Sequence, residues 1–426
     1  DLERDVIKLD AEMERRVCSI VLRHLEDSFS DVKQQAVKCV AVLARKVNST
    51  QLEDIADKLS THILNTTEED KRDIGSIGMK TLVGVLTPTT APCVLRRVTP
   101  KLISGISQHE DADVCHYSLE IMNDLLKKFG PLMSRDLAAI QQCLLPHLSS
   151  TRAPTRKRVA AALASLAVCA PDMLFGQLID FLFTNCESSS KPDQIRTYIQ
   201  TVAAISRSVG HRLGKELKRV VPLFLRYCSN EPFNSDVELL ENCFQAFESF
   251  ILRCPKDIGA HLTEIVDLSL NFVRYDPNYV MDDEDGDGND DMEEDEEDEE
   301  EDGDNEYSDD DDNSWKVRST SIKTLAAVIR SRPELLASMR ERVAPELVKR
   351  FKEREELVKL DVFAAFKELL RQSASEDAAH HVDDTDAMDI SGPAHSTPSC
   401  AAMLDRDAIV RAMRLQLRQR TSAKTR

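Results

Sequence analysis

Along most of this chain apolar residues return at helical spacing. In DVKQQAVKCVAVL, Val32, Ala36 and Val40 stand four residues apart, which places them on one face of a helix with polar residues between. The same i, i+4, i+8 signature recurs at Lys71/Gly75/Met79, Val114/Ser118/Met122, Thr155/Val159/Leu163, Ile195/Ile199/Ala203, Leu239/Cys243/Phe247, Val317/Ser321/Leu325 and Val358/Val362/Phe366. Successive first positions lie 39, 43, 41, 40, 44, 78 and 41 residues apart. Only the interval of 78 breaks the period; it contains the segment 276–312, and without those 37 residues it falls to 41.

A second amphipathic helix precedes these, as in LEDIADKLSTHIL from Leu52, VLRRVTPKLISGI from Val94, DLAAIQQCLLPHL from Asp136 and ERVAPELVKRF from Glu341. The repeating unit is therefore a helix pair. One pair cannot bury both faces, so each unit depends on its neighbours for a continuous core. Four first helices carry a proline, Pro100, Pro146, Pro222 and Pro345. Inside a helix each removes a hydrogen bond at a cost of about 3 kcal/mol, which a curved, stacked array absorbs. A helix pair at this period, with Asp or Trp-Lys leading into V-[KR] and then a small residue (DVKQQA, WKVRSTS), resembles the HEAT family. The resemblance implies an all-α, armadillo-like right-handed α-solenoid, an elongated superhelix with a concave binding surface.

The expected organisation follows from that register. Residues 1–10 end a first HEAT unit cut short, 11–275 are HEAT repeats, 276–312 form an acidic disordered insertion, and 313–372 continue the repeats. Residues 373–398 form a polar insertion, and 399–426, with AIVRAMRLQLRQR, supply the first helix of a further unit cut short. The chain reads as a fragment or a short relative.

Charge is concentrated in one place. The chain carries 75 acidic against 55 basic residues, and 23 of the acids lie between 282 and 312, where there is no Lys or Arg. Elsewhere 52 acids face 55 bases, so the chain is not a broadly basic nucleic-acid binder. DEDGDGNDDMEE meets a calcium-loop template through Asp283, Asp285, Asp287, Gly288 and Glu294. Its eighth position is Asp290 and no amphipathic helix flanks it, so the match carries no calcium site. Lengthening a loop from about 5 to about 40 residues costs roughly 2 kcal/mol of closure entropy, and dense like charge keeps such a loop from collapsing. Asp282, Asp283, Glu293, Glu294, Asp309, Asp310, Asp311 and Asp312 make the run a candidate electrostatic arm for a basic partner. Ser308, followed by four Asp, is a candidate for phosphorylation by acidophilic kinases.

Candidate chemistry is sparse. No nucleophile, acid–base or metal-ligand constellation is legible, and neither an enzyme activity nor a cofactor is expected. His380-His381 sits in a polar segment without further ligands, and VGHRLGKEL lacks the P-loop frame. Gly75 and Gly78 fall in a helical register and are expected to permit close packing. The longest small-apolar run, VAAALASLAVCA, is too short to span a bilayer. Eleven scattered Cys without a C-x-x-C pair read as buried, reduced thiols, and the sequons at Asn48 and Asn65 are expected to stay bare. The expected location is cytoplasmic and nuclear, the expected partner a protein, with no nucleic acid bound directly, no membrane and no small-molecule substrate.

Several stretches go beyond generic HEAT units. RDIGSIGMKTLVG, QIRTYIQTVAAISRSVGHRLG, QAFESFILRCPKDI, YDPNYVMDDED, EYSDDDDNSWKVR and FKEREELVKLDVFAAF resemble the N-terminal part of the cullin-associated and neddylation-dissociated family, also described as TATA-binding-protein-interacting. The resemblance implies a non-enzymatic scaffold that binds the cullin and RING subunits of ubiquitin ligases lacking the ubiquitin-like modifier. It implies coverage of the modification site, which blocks neddylation, and regulation of SCF-type assembly and substrate-receptor exchange. The family's chain is roughly three times longer, which puts adaptor displacement by this stretch in doubt. The rival reading is an importin-β-type transport receptor, also an acidic HEAT solenoid with an acidic loop ending in Trp, or another HEAT scaffold such as a phosphatase subunit. YDPNY and EYSDDDDNSWKVR, which bracket the insertion, favour the cullin reading.

Overall fold

The computed structural model describes residues 10–65, 68–107, 111–275 and 313–383, together with Val410. The described residues are helices and turns without a strand, and they fall into two compact units that divide after Gly210.

The first unit holds five helix pairs: α1 (Ala11–His24) with α2 (Ser30–Leu43), α3 (Ser49–Asn65) with α4 (Glu69–Val85), α5 (Ala91–Ser107) with α6 (Ala112–Phe129), α7 (Leu137–Leu144) with α8 (Ala153–Cys169), and α9 (Asp172–Ser188) with α10 (Pro192–Val209). First helices pack on first helices along α1, α3, α5 and α7, and second helices on second helices along α2, α4, α6, α8 and α10. In the second unit α11 (Leu217–Ser229) pairs with α12 (Val237–Arg253), and α13 (Leu262–Val273) with α14 (Ser314–Ser331). The short α15 (Leu336–Ser338) and α16 (Ala344–Lys349) precede α17 (Glu356–Asp383). There α12, α14 and α17 form the second-helix layer. This is the HEAT arrangement, with the segment 276–312 falling between the two helices of one pair.

The eight apolar triplets all lie on second helices, and 21 of the 24 residues are buried. The exceptions, Val32, Lys71 and Thr155, are partly exposed. Each stands in the first turn of its helix, so Val32, expected in the core, sits at its margin. Local signals start the helices where sequence chemistry allows. Asp10, Asp111 and Asp236 accept hydrogen bonds from the backbone N–H of Met13 (2.8 Å), Asp113 (2.9 Å) and Leu239 (3.1 Å), capping α1, α6 and α12.

The four prolines are accommodated in different ways. Pro100 and Pro222 stand inside α5 and α11. Pro146 lies where α7 tightens into a 3-10 turn at Leu145–Ser149, and Pro345 follows a π-turn at Met339–Val343. In the last two cases the irregular turn changes the hydrogen-bond pattern that proline interrupts. At Gly75 and Gly78 two helices approach closely: a Cβ at Gly75 would stand 2.8 Å from His62 Cβ, and one at Gly78 2.6 Å from Leu59 Cδ2. Both glycines thus permit α3 and α4 to meet. The ten described cysteines form no disulfide, and seven are buried; Cys39, in KCVAVLA, is exposed because it lies off the Ala36/Val40 face.

The basic residue that follows the first triplet position, the V-[KR] residue at Lys33 and Arg318, has a recurring job, reaching toward the next pair. Lys33 lies 3.9 Å from Asp70, Arg72 is hydrogen-bonded to Asp111, Arg156 Nε donates to Thr197 Oγ1 at 3.0 Å, and Arg318 Nε stands 3.3 Å from Glu353. Asp111 shows the economy of this: the N–H of Asp113 and the Arg72 guanidinium together hold its carboxyl below the usual range. The helix α17 runs to Asp383, beyond the boundary expected at Gln372. Arg340, buried in the π-turn, explains part of that extension, since it donates to Ser373 Oγ (3.4 Å) and Glu376 (2.7 Å). The expected partial units at 1–10 and 399–426 lie outside the described residues, save Asp10 and Val410, which is helical.

Candidate interaction face

A second helix that buries one triplet against its neighbours leaves the opposite positions to solvent. On α4 and α6 these positions carry a polar ladder. Tyr117 donates to Asp73, and Lys80 pairs with Glu120 at 2.7 Å. The hydrogen bond to Asp73, with burial, pushes the Tyr117 hydroxyl up to about 12. Lys128 Nζ donates to the carbonyls of Val83 (2.8 Å) and Gly84 (2.6 Å), neutralising the C-terminal end of α4. Burial pushes the Asp124 carboxyl upward, and Ile77 is 51% exposed beside this ladder.

In the second unit the corresponding face opens into a groove of about 550 Å³ across α12, α14 and α17. Its lining repeats one register. Leu252, Arg330 and Arg371 each follow the first residue of their triplet (Leu239, Val317, Val358) by 13 positions, which puts them on the opposite side of the helix. Ala326, Ala327 and Ala364 keep the centre shallow in side chain, and Glu248, Lys323 and Glu368 complete the walls. Arg371 grips Glu368 with two nitrogens, at 2.9 and 2.6 Å, and holds its carboxyl down to about 2. Lys323 lies 3.2 Å from Asp361. Arg330 makes no hydrogen bond or ion-pair contact with the described residues and acts on Glu368 only through space.

The residues nominated from sequence, Asp282, Asp283, Glu293, Glu294, Ser308, Asp309, Asp310, Asp311 and Asp312, lie outside the described residues. The residues that flank their segment are joined by one side chain. Arg318, buried on α14, donates to the carbonyl of Tyr275 at 2.9 Å and to Ser314 Oγ at 2.9 Å, so one side chain ties the chain before the segment to the chain after it. Glu353 supplies the opposing charge and also accepts from the N–H of Arg354 at 3.1 Å. The V-[KR] pattern singles out Arg318, while the groove would have been legible only by reading the repeat at its solvent-facing positions.

Among the described residues no three His, Cys, Asp or Glu side chains are grouped to hold a metal ion, and no helix is long and apolar enough to cross a membrane. The arrangement offers surfaces of mixed charge with exposed aliphatic side chains, which suit a protein partner.

No family model matches the chain. Among solved structures it is similar to importin β, with a TM-score of 0.59 at 13% identity over 99% of this chain and 46% of the other. It is also similar to the Kap95:Nup1 complex, at 0.60 and 12% over 88% and 44%. At such identity these establish the fold alone. Sequence relatives are nearer. Cullin-associated NEDD8-dissociated protein 1 of Dictyostelium discoideum is 43% identical over 390 residues, 87% of this chain and 31% of the relative. Protein 2 of Mus musculus is 43% identical over 88% of this chain and 30% of its own, and protein 1 of Arabidopsis thaliana 39% over 99% and 34%. The chain thus spans about a third of the length of these curated relatives. Across that span it belongs to the family of cullin-associated NEDD8-dissociated proteins.

Proposed function

We propose that this chain is a non-enzymatic HEAT scaffold that associates with a cullin and its RING subunit when the cullin lacks its ubiquitin-like modifier. In this reading it regulates the assembly of cullin–RING ligases and the exchange of their substrate receptors, and it hinders neddylation by covering the modified site. The observation that carries the reading is identity of 39–43% to relatives named for cullin association, sustained over 87–99% of this chain. The second-helix faces, with paired charges around exposed aliphatic residues, support a protein rather than a small-molecule ligand. The location proposed with it is cytoplasmic and nuclear. The transport-receptor reading has the shared fold, at 12–13% identity, and an acidic stretch ending in Trp in its favour.

The test is a pull-down of the purified chain with an unmodified cullin–RING complex, beside the same complex carrying its modifier. Capture of the unmodified form alone is expected. Failure to capture either form, by a chain with intact helical signal, would overturn the reading for this stretch.

A further inference from the structure

We propose that the groove across α12, α14 and α17 seats a segment of the cullin–RING partner that carries one carboxylate flanked by aliphatic side chains, with the carboxylate on Arg330. This rests on the cullin reading above and assigns one of its contacts. The charges of the groove walls are already settled among themselves, apart from one. Glu368 is held by two nitrogens of Arg371, Lys323 has Asp361 at 3.2 Å, and Glu248 has a partner of its own. Arg330 alone keeps an unpaired charge.

Chemistry then selects the occupant. A cationic segment would meet the unpaired charge of Arg330, and a wholly apolar one would strip water from it without replacing its hydrogen bonds. A carboxylate satisfies the guanidinium with a two-pronged, charge-assisted contact. The remaining lining is apolar: Leu252 is 44% exposed, and the alanines of α14 and α17 leave a depression where longer side chains would fill it. Aliphatic residues beside the carboxylate would cover that floor and release its water.

Binding of the full chain to an unmodified cullin–RING complex tests this, using the wild type, Arg330→Glu, Arg330→Lys and Ala364→Leu. Both positions are exposed on helices, so helical signal and melting should be unchanged. Arg330→Glu should weaken binding about tenfold or more, most at low salt. Ala364→Leu should weaken it by filling the seat, and Arg330→Lys should fall between. Wild-type binding with all variants equal to it would overturn the groove and leave the cullin reading standing. No binding by the wild type would overturn both. Tighter binding by Arg330→Glu, with the gain lost when 282–312 is removed, would mean that the groove holds the chain's own acidic run, and the proposal falls.

Discussion

Replacing Arg318 by methionine probes a buried charge that ties Tyr275, before the acidic segment, to Ser314, after it. The side chains of Arg318 and Glu353 are 2% and 4% exposed, so neither charge is relieved by solvent when its partner goes. Arg318 Nη2 donates to Glu353 Oε1 at 3.3 Å, while the Nε–Oε2 approach, also 3.3 Å, is too oblique for a hydrogen bond. The attraction is therefore largely ionic, and removing one partner of such a pair costs about 3–5 kcal/mol. Arg318→Met additionally leaves the Tyr275 carbonyl without its donor. Removing both charges, as in Arg318→Met/Glu353→Leu, should recover most of that loss, because two well-packed apolar side chains carry no desolvation penalty.

The chain supplies its own reporter, since its only tryptophan, Trp315, stands on α14 one turn before Arg318. Urea unfolding followed by Trp315 emission should place the midpoint of the single variant about 1–2 M below wild type, for a slope of about 2–3 kcal/mol per molar. The double variant should return most of the way. A single variant that unfolds with wild type, or a double variant as weak as the single, would show that the pair is not what holds α14 to the loop before α17.

Three further outcomes are expected. Gly75→Ala should destabilise the first unit by about 1–3 kcal/mol, because the new methyl meets His62 Cβ and the Leu59 carbonyl, neither of which can swing away. Gly84→Ala, which meets nothing within 4 Å, should be neutral or gain up to about 1 kcal/mol, and thermal melts of the two distinguish packing from helix propensity. Hydrogen bonds from Lys58 and His62 hold Glu26 down to about 2 against an ordinary 4.5, so its contribution is full above 4.5 and lost as pH falls toward 2. The melting difference between wild type and Glu26→Gln should shrink across that window, and a constant difference from pH 6 to pH 2 would refute the linkage. Deleting residues 282–312 should leave helical signal and melting unchanged, while a loss of partner affinity that appears only at low salt would identify the acidic run as an electrostatic arm.

How far the sequence could be read depended on whether a feature repeats. The triplet pattern of Val114, Ser118 and Met122 occurs eight times because every pair solves the same burial problem. One period therefore locates all the second helices and the place of the insertion. The V-[KR] signature was visible at Lys33 and Arg318, but its role was not: they, and Arg72 and Arg156 at the same register, find their partners in the following repeat, at separations no local pattern encodes. Helix α17 was placed too short because a polar stretch reads as loop unless one knows that buried Arg340 needs Ser373 and Glu376.

The groove was missed for a related physical reason. Selection for a core acts on the triplet face, so its residues are mostly apolar or small, whereas the opposite face has no common requirement. At the position 13 beyond each triplet start the chain has Arg45, Gly84, Lys127, Val168, Ser208, Leu252, Arg330 and Arg371. No periodicity of character survives there, and that is what a face used for recognition should look like, since each repeat meets a different part of a partner. An isolated Arg330 in the sequence is indistinguishable from any solvated helix-end arginine. Only when Glu368 is seen to be taken by Arg371, and Lys323 to lie beside Asp361, does the charge left over on Arg330 acquire meaning. The scaffold is thus written in what the repeats share, and the contacts that would make it specific are written in where they differ.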